Sequence, residues 1–158
     1  MKDYRNYSLR VLATIIDSLG WLFFFWLPRP KVRPHEIKKL LILKFDRLGD
    51  TFLSEPTIAA LRQIFPQAQV VVACSPWNQE VLSNHPAIDQ IVSLSSLPDI
   101  HHSHLKDFLR LAQIKRVANL IKDQQPEVVI DLQGHPFNVL AMFKAKVKYR
   151  VGYGTKVG

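Results

Sequence analysis

Lys39-Leu40-Leu41-Ile42-Leu43-Lys44-Phe45-Asp46-Arg47-Leu48-Gly49-Asp50-Thr51 is the stretch that decides how this chain of 158 residues folds. The unbroken apolar run 40–43 reads as a strand buried on both faces, and the polar segment behind it as a tight loop opening a helix. That order puts two carboxylates (Asp46 and Asp50), the Arg47 guanidinium and Gly49 at the C-terminal edge of one strand. In an open α/β sheet, ligands bind at that edge. With one glycine, no G-x-G-x-x-G and no Walker lysine, the loop is not a nucleotide-phosphate cradle. Its acidity suits taking a proton from a hydroxyl. Capping of the following helix by Asp46 and Asp50 is the competing reading, and spacing alone leaves the two open.

Downstream the pattern alternates. Strands are expected at 40–45, 69–73, 88–94, 128–132 and 149–152. Helices are expected at 54–64, with Ser54 as N-cap and Pro56 in its first turn, then at 78–83, 105–122 and 137–143. In the longest of these, Phe108, Leu111, Ala112, Val117, Leu120 and Ile121 form the apolar side. Continuous Val/Ile/Leu strands separated by helices mean a parallel sheet covered on both faces, and right-handed crossovers make it a Rossmann-like, doubly wound α/β fold.

Length allows one domain with a real core and is too short for two of ordinary size. The formal charge of +8 is uneven. Residues 1–38 carry seven basic and three acidic side chains (+4), residues 39–100 four and six (−2), and residues 101–158 ten and four (+6). A near-neutral middle between two basic flanks suits anionic lipid or phosphorylated glycans. No nucleic-acid-binding motif is present, and the aromatics do not interleave with the basic tail as stacking platforms would, so nucleic acid is not an expected partner. Cys74 is the only cysteine, which excludes an intrachain disulfide. At the end of the second expected strand it reads as a small buried hydrophobe.

Residues 11–27 are almost entirely apolar, broken by Asp17. A spanning helix needs roughly 20 such residues. Arg10, Thr14 and Asp17 share one helical stripe, Trp21 and Trp26 are residues of the membrane–water interface, and Lys2, Arg5, Arg29, Lys31 and Arg33 flank the run. The segment reads as an interfacial or shallowly inserted anchor, ahead of a helix packed on the domain or a true span. Pro28-Arg29-Pro30-Lys31 follows where a secretory leader would carry small residues for cleavage, and the downstream basic residues keep the globular part cytoplasmic. Pro28, Pro30 and Pro34 then make a stiff, extended linker. The expected organisation is a membrane-associating helix and linker over 1–37 and a Rossmann-like lobe over 38–158.

The stretch KLLILKFDRLGDTFLSEPT, residues 39–57, resembles the opening of glycosyltransferase family 9, the heptosyltransferases of lipopolysaccharide core assembly. The similarity continues through Ala60-Leu61-Arg62 and Phe65-Pro66, then Val128-Val129-Ile130-Asp131-Leu132-Gln133-Gly134, and ends at Arg150-Val151-Gly152-Tyr153. The resemblance implies the N-terminal, acceptor-side lobe of a two-lobed GT-B enzyme. The donor lobe is expected to be absent and the chain inactive alone. The implied reaction is inverting transfer from a nucleotide-sugar such as ADP-heptose to a lipopolysaccharide-type or other lipid-linked glycan, at the cytoplasmic face of the inner membrane. No cofactor or bound divalent metal is implied. An inactive, membrane-associated remnant or acceptor-binding module is the alternative.

By the same resemblance Asp50, matching the family's Gly-Asp aspartate, is the base that takes the acceptor proton, work that contributes about 10²–10⁴-fold. Gly49 would let the backbone approach the acceptor closely. Asp46 and Arg47 match the family's Asp-Arg variant, with Arg47 paired to a carboxylate or to an acceptor phosphate. Asp131, Gln133 and Gly134 end the fourth strand at the same edge as acceptor-binding candidates, with capping of the next helix as the alternative. Phe137-Asn138 departs from the basic residue and serine that many members carry there, which puts recognition of a phosphorylated inner-core acceptor in question. His101, His102 and His104 lack Cys or acidic partners at ligand spacing and read as a solvated loop rather than a metal site. Lys144, Lys146, Lys148 and Arg150 read as a solvated face able to dock anionic headgroups.

Overall fold

Strand β1, Lys39–Lys44, is flanked on both sides by other strands, so its apolar residues point into two separate layers. The computed structural model describes residues 32–94 and 106–152, all within one compact unit, Val32–Gly154. After β1 come α1 (Leu48–Ile64), β2 (Gln69–Cys74), α2 (Pro76–Leu82), β3 (Gln90–Ser93), α3 (Lys106–Gln124), β4 (Val128–Asp131), α4 (Pro136–Lys144) and β5 (Tyr149–Val151). The sheet order is β3-β2-β1-β4-β5, every pair parallel, as the alternating pattern predicts. Alternation within the strands divides the core. Leu40, Ile42, Val70, Val72, Val128 and Ile130 pack under Ile58 and Leu82 on one face. Leu41, Leu43, Val71, Ala73 and Val129 pack with Val117, Ile121, Ala141 and Met142 on the other. Full burial of each such side chain is worth about 1.5–3 kcal/mol.

The largest departure from expectation is at α1. It starts at Leu48, six residues before Ser54, with Arg47 as N-cap. Thr51, Ser54 and Ile58 are its buried residues, a stripe facing the sheet. The Ser54 hydroxyl donates to the Thr51 carbonyl (2.7 Å) and the Thr51 hydroxyl to the Arg47 carbonyl (3.2 Å). Hydroxyls that bond back into their own helix can be buried at a close helix–sheet approach, and in sequence they look like caps. Pro56 is thus in the helix interior, on its exposed side, where it has no N–H to give the Phe52 carbonyl.

Leu111 is a second departure: assigned to the apolar side of α3, it is 67% exposed, while Val117, Ala118, Leu120 and Ile121 carry the packing. Pro34 opens a 3-10 turn, Pro34–Glu36, rather than continuing an extended linker. Cys74 ends β2 and is buried, and burial pushes its thiol up to about 11. Arg150 rests its guanidinium carbon 4.2 Å from the centre of the Phe143 ring and donates to the Val147 carbonyl, so the basic face is partly structural. The apolar run 11–27, Pro28, Pro30, the three loop histidines and Tyr153 lie outside the described residues. No described helix is long and apolar enough to cross a membrane.

Candidate active site

From β1 the chain moves to β2 and β3 on one side, then returns to β4 and β5 on the other. The reversal opens a crevice at the C-terminal ends of β1 and β4, where Leu43 is in register with Asp131 and the Leu132 N–H donates to the Leu43 carbonyl (3.2 Å). A hollow of about 330 Å³ between β3 and α3, lined in part by Val92, Leu94, Asn119 and Asp123, opens at the edge strand and not at this crevice.

Three loops meet here. At the end of β1, Lys44 is buried and donates to the Asp46 carboxylate at 2.7 Å. An ammonium at the end of a buried strand needs such a partner. The Asp46 carbonyl accepts from the Trp77 indole N–H (3.1 Å) and the Asn78 side-chain amide (2.8 Å), both from the first turn of α2. The Ser75 hydroxyl donates to the Phe45 carbonyl (3.2 Å), tying the loop after β2 to the loop after β1.

Neither Asp46 nor Asp50 caps α1, for the helix has no side-chain cap bond. Asp50 lies in its first turn, exposed, where a carboxylate meets the positive end of the helix dipole. Arg47 is exposed and forms no ion pair among the described residues, so its pairing with a carboxylate of the chain is not found. Gly49 is helical, and a Cβ built on it would meet nothing within 4 Å. The space beside it is open.

Behind β4 the Asp131 carboxylate is 1% exposed. Its Oδ1 accepts from the Gln133 N–H (3.1 Å) and the Asn138 amide (2.9 Å), while buried Oδ2 has no hydrogen-bond partner among the described residues. Asn138 also donates to the Gln133 side chain (3.1 Å), so one buried amide orients both acceptor candidates. The cap of α4 is His135, whose Nδ1 accepts from the Phe137 N–H (3.3 Å), which removes capping as the role of Asp131 and Gln133. Gly134 has φ 72°, a left-handed turn that favours glycine, so the backbone accounts for it.

Burial holds the Asp131 pKa above the usual carboxylate range, and the neighbouring Asp46 adds to the rise against the hydrogen bonds that lower it. Folded Asp131 therefore keeps its proton to higher pH than the unfolded chain does. The resulting penalty on stability is absent below the ordinary carboxylate pKa and complete above the folded one. Asp131→Asn is expected to remove it. Urea unfolding of both proteins from pH 4 to pH 8 should show the variant gaining on wild type as pH rises, whereas a constant difference would mean that Asp131 titrates normally.

The structure thus gathers Asp46, Arg47, Gly49 and Asp50 in one β1–α1 turn and Asp131, Gln133 and Gly134 across the crevice. Sequence reading missed Lys44, Trp77, Asn78 and the organising role of Asn138. Of these, only Lys44, a lone cation ending an apolar run, carried a signal. Among the described residues no group of three or more His, Cys, Asp or Glu side chains is placed to hold a metal ion.

No family model matches the chain. A Haemophilus influenzae protein described as "Putative glycosyltransferase" is 27% identical over 120 residues, covering 76% of this chain and 32% of that protein. A glycosyltransferase family 9 structure from Veillonella parvula superposes with a TM-score of 0.57 at 20% identity, over 72% of this chain and 31% of the other. ADP-heptose lipopolysaccharide heptosyltransferase II of E. coli gives 0.56 at 18%, over 72% and 30%. The structural likenesses carry the fold, and the sequence likeness is likewise to a glycosyltransferase. The chain spans about a third of the length of each relative, a coverage that fits the N-terminal part.

Proposed function

We propose that this lobe is the acceptor-binding part of an inverting glycosyltransferase, with Asp50 as the base. The observation that carries the reading is the turn after β1. Asp50 is exposed there with no side-chain hydrogen bond among the described residues, beside a glycine whose Cβ position faces open space. In the proposed step the acceptor hydroxyl gives its proton to the Asp50 carboxylate as its oxygen attacks the anomeric carbon, and the bond from that carbon to the nucleotide diphosphate breaks on the opposite side. Asp46, its carboxylate held by Lys44 and its carbonyl by Trp77 and Asn78, accepts another hydroxyl of the acceptor, as does part-exposed Gln133; Asp131, too buried to touch the acceptor, orients Gln133 through Asn138. Arg47 is placed to meet a phosphate on it. Donor contacts belong to a second lobe, and the resemblance supports a nucleotide-sugar such as ADP-heptose with no resident metal. A lipid-linked glycan is the acceptor class that fits an apolar N-terminal segment holding the lobe at the cytoplasmic membrane face.

The test is transfer from ADP-heptose to a lipopolysaccharide core acceptor, run on this chain with and without a family 9 C-terminal lobe. Turnover when the lobe is supplied supports the reading; no turnover and no acceptor binding in either case overturns it in favour of an inactive remnant. Deleting residues 1–27 is expected to release the lobe from membrane pellets. Retention would move the anchor to the basic residues Lys144, Lys146 and Lys148.

A further inference from the structure

Trp77 is the part of the crevice that proton transfer leaves unused. It is the second residue of α2 and 57% exposed. Its indole N–H is bound to the Asp46 carbonyl, so the ring is tethered to the turn that carries Asp46, Arg47 and Asp50. The next residue, Asn78, is fully buried and holds the same carbonyl, which fixes the first turn of α2 against that loop. No other ring or cation of the described residues stacks on the indole. A large aromatic left half in water forgoes the free energy its burial would supply.

We infer that the free face of Trp77 is a stacking platform for a pyranose ring of the acceptor, an inference that rests on the acceptor-side reading above. A pyranose offers C–H groups on its faces and hydroxyls around its rim. The C–H groups carry slight positive charge and meet the negative face of the indole. The rim hydroxyls are donors for carboxylates, and Asp46 and Asp50 stand in the turn to which the ring is tied. An exposed tryptophan also suits a lipid interface. The surrounding charge decides between them: the turn tied to the ring carries Asp46 and exposed Asp50 against Arg47 and a buried, paired Lys44, and exposed Glu80 lies one helical turn beyond Trp77. An anionic lipid surface is repelled by such a face, whereas a neutral, hydroxyl-rich ring is not.

The experiment uses the full chain labelled with 15N-tryptophan, titrated with a deacylated lipopolysaccharide core oligosaccharide and separately with phosphatidylglycerol vesicles. The Trp77 indole signal shifts with the oligosaccharide. Trp77→Phe keeps a ring face and binds it within about threefold of wild type, while Trp77→Leu, apolar without a ring face, binds about tenfold more weakly. Equal binding by wild type and Trp77→Leu overturns the platform and leaves the acceptor reading standing. Failure of wild type to bind the oligosaccharide overturns both. Loss of vesicle binding alone in Trp77→Leu makes the residue a lipid contact and overturns the platform. If Trp77→Leu does not fold, an indole signal of wild-type Trp77 unmoved by the oligosaccharide overturns it instead.

Discussion

Asp50→Asn, placed in the two-lobed transferase, is expected to lower transfer by about 10²–10⁴-fold while acceptor binding and the melting profile change little. The carboxylate is exposed and makes no hydrogen bond among the described residues, so its removal costs the fold no more than its interaction with the helix dipole, about 0.3–1 kcal/mol. Were Asp50 a structural cap, the pattern would reverse, with stability falling and transfer surviving. The companion change Gly49→Ala separates the fold from the site. Gly49 has helical geometry and open space at its Cβ position, so alanine should stabilise α1 by up to about 1 kcal/mol. In the proposed site the same methyl stands in the acceptor's path, and the KM for the acceptor should rise. Transfer by Asp50→Asn at near wild-type kcat would remove Asp50 as the base.

Arg62→Ala is expected to cost about 2–3 kcal/mol of stability, read from the shift of the urea midpoint. Arg62, inside a block that resembles the family, sits near the C-terminal end of α1, away from the crevice. Its guanidinium donates to the Ala68 carbonyl (2.7 Å), twice to the Ala87 carbonyl (3.2 and 3.0 Å) and to the Asp89 carboxylate. Those acceptors border the starts of β2 and β3, so one side chain ties a helix end to two strand entries. Burial works to raise the Asp89 pKa, but the bonds from Arg62 and the Val70 N–H prevail and hold it below the usual carboxylate range. Stability from that pair is present above the unfolded carboxylate pKa and lost as pH falls through the folded one. Arg62→Lys should recover less than half of the loss, because a point charge cannot serve three separated acceptors. A loss under about 0.5 kcal/mol would mean that water replaces these bonds.

The three central strands, β1, β2 and β4, were readable because they are buried on both faces, and aliphatic runs of that length have few other uses; the edge strands β3 and β5 hold no fully buried residue. The start of α1 was not, because Thr51 and Ser54 are buried through bonds to their own helix, a use that shares its residue types with capping. Leu111 fits the apolar period of α3 yet stays exposed, since period marks a face and not what covers it. In the crevice the acidic turn and the Asp131–Gly134 block stood out by residue type. Asn138, Asn78 and Trp77 did not: Trp77 and Asn78 aim one donor each at a loop more than 30 residues earlier, Asn138 aims its amide back into the loop just before it, and such aim leaves no pattern along a chain.

By itself the sequence determined a parallel α/β sheet, the edge at which its polar residues collect, and the residue types gathered in the β1–α1 turn, because periodicity and residue type are local properties. Tertiary structure alone decided which strands are neighbours. It placed β4 beside β1, opening the crevice where the order reverses, and buried Asp131 near Asp46 with one oxygen unpaired among the described residues. The reason is physical: hydrogen-bond partners and desolvation depend on what lies across a gap, and only the folded packing of separate segments sets that.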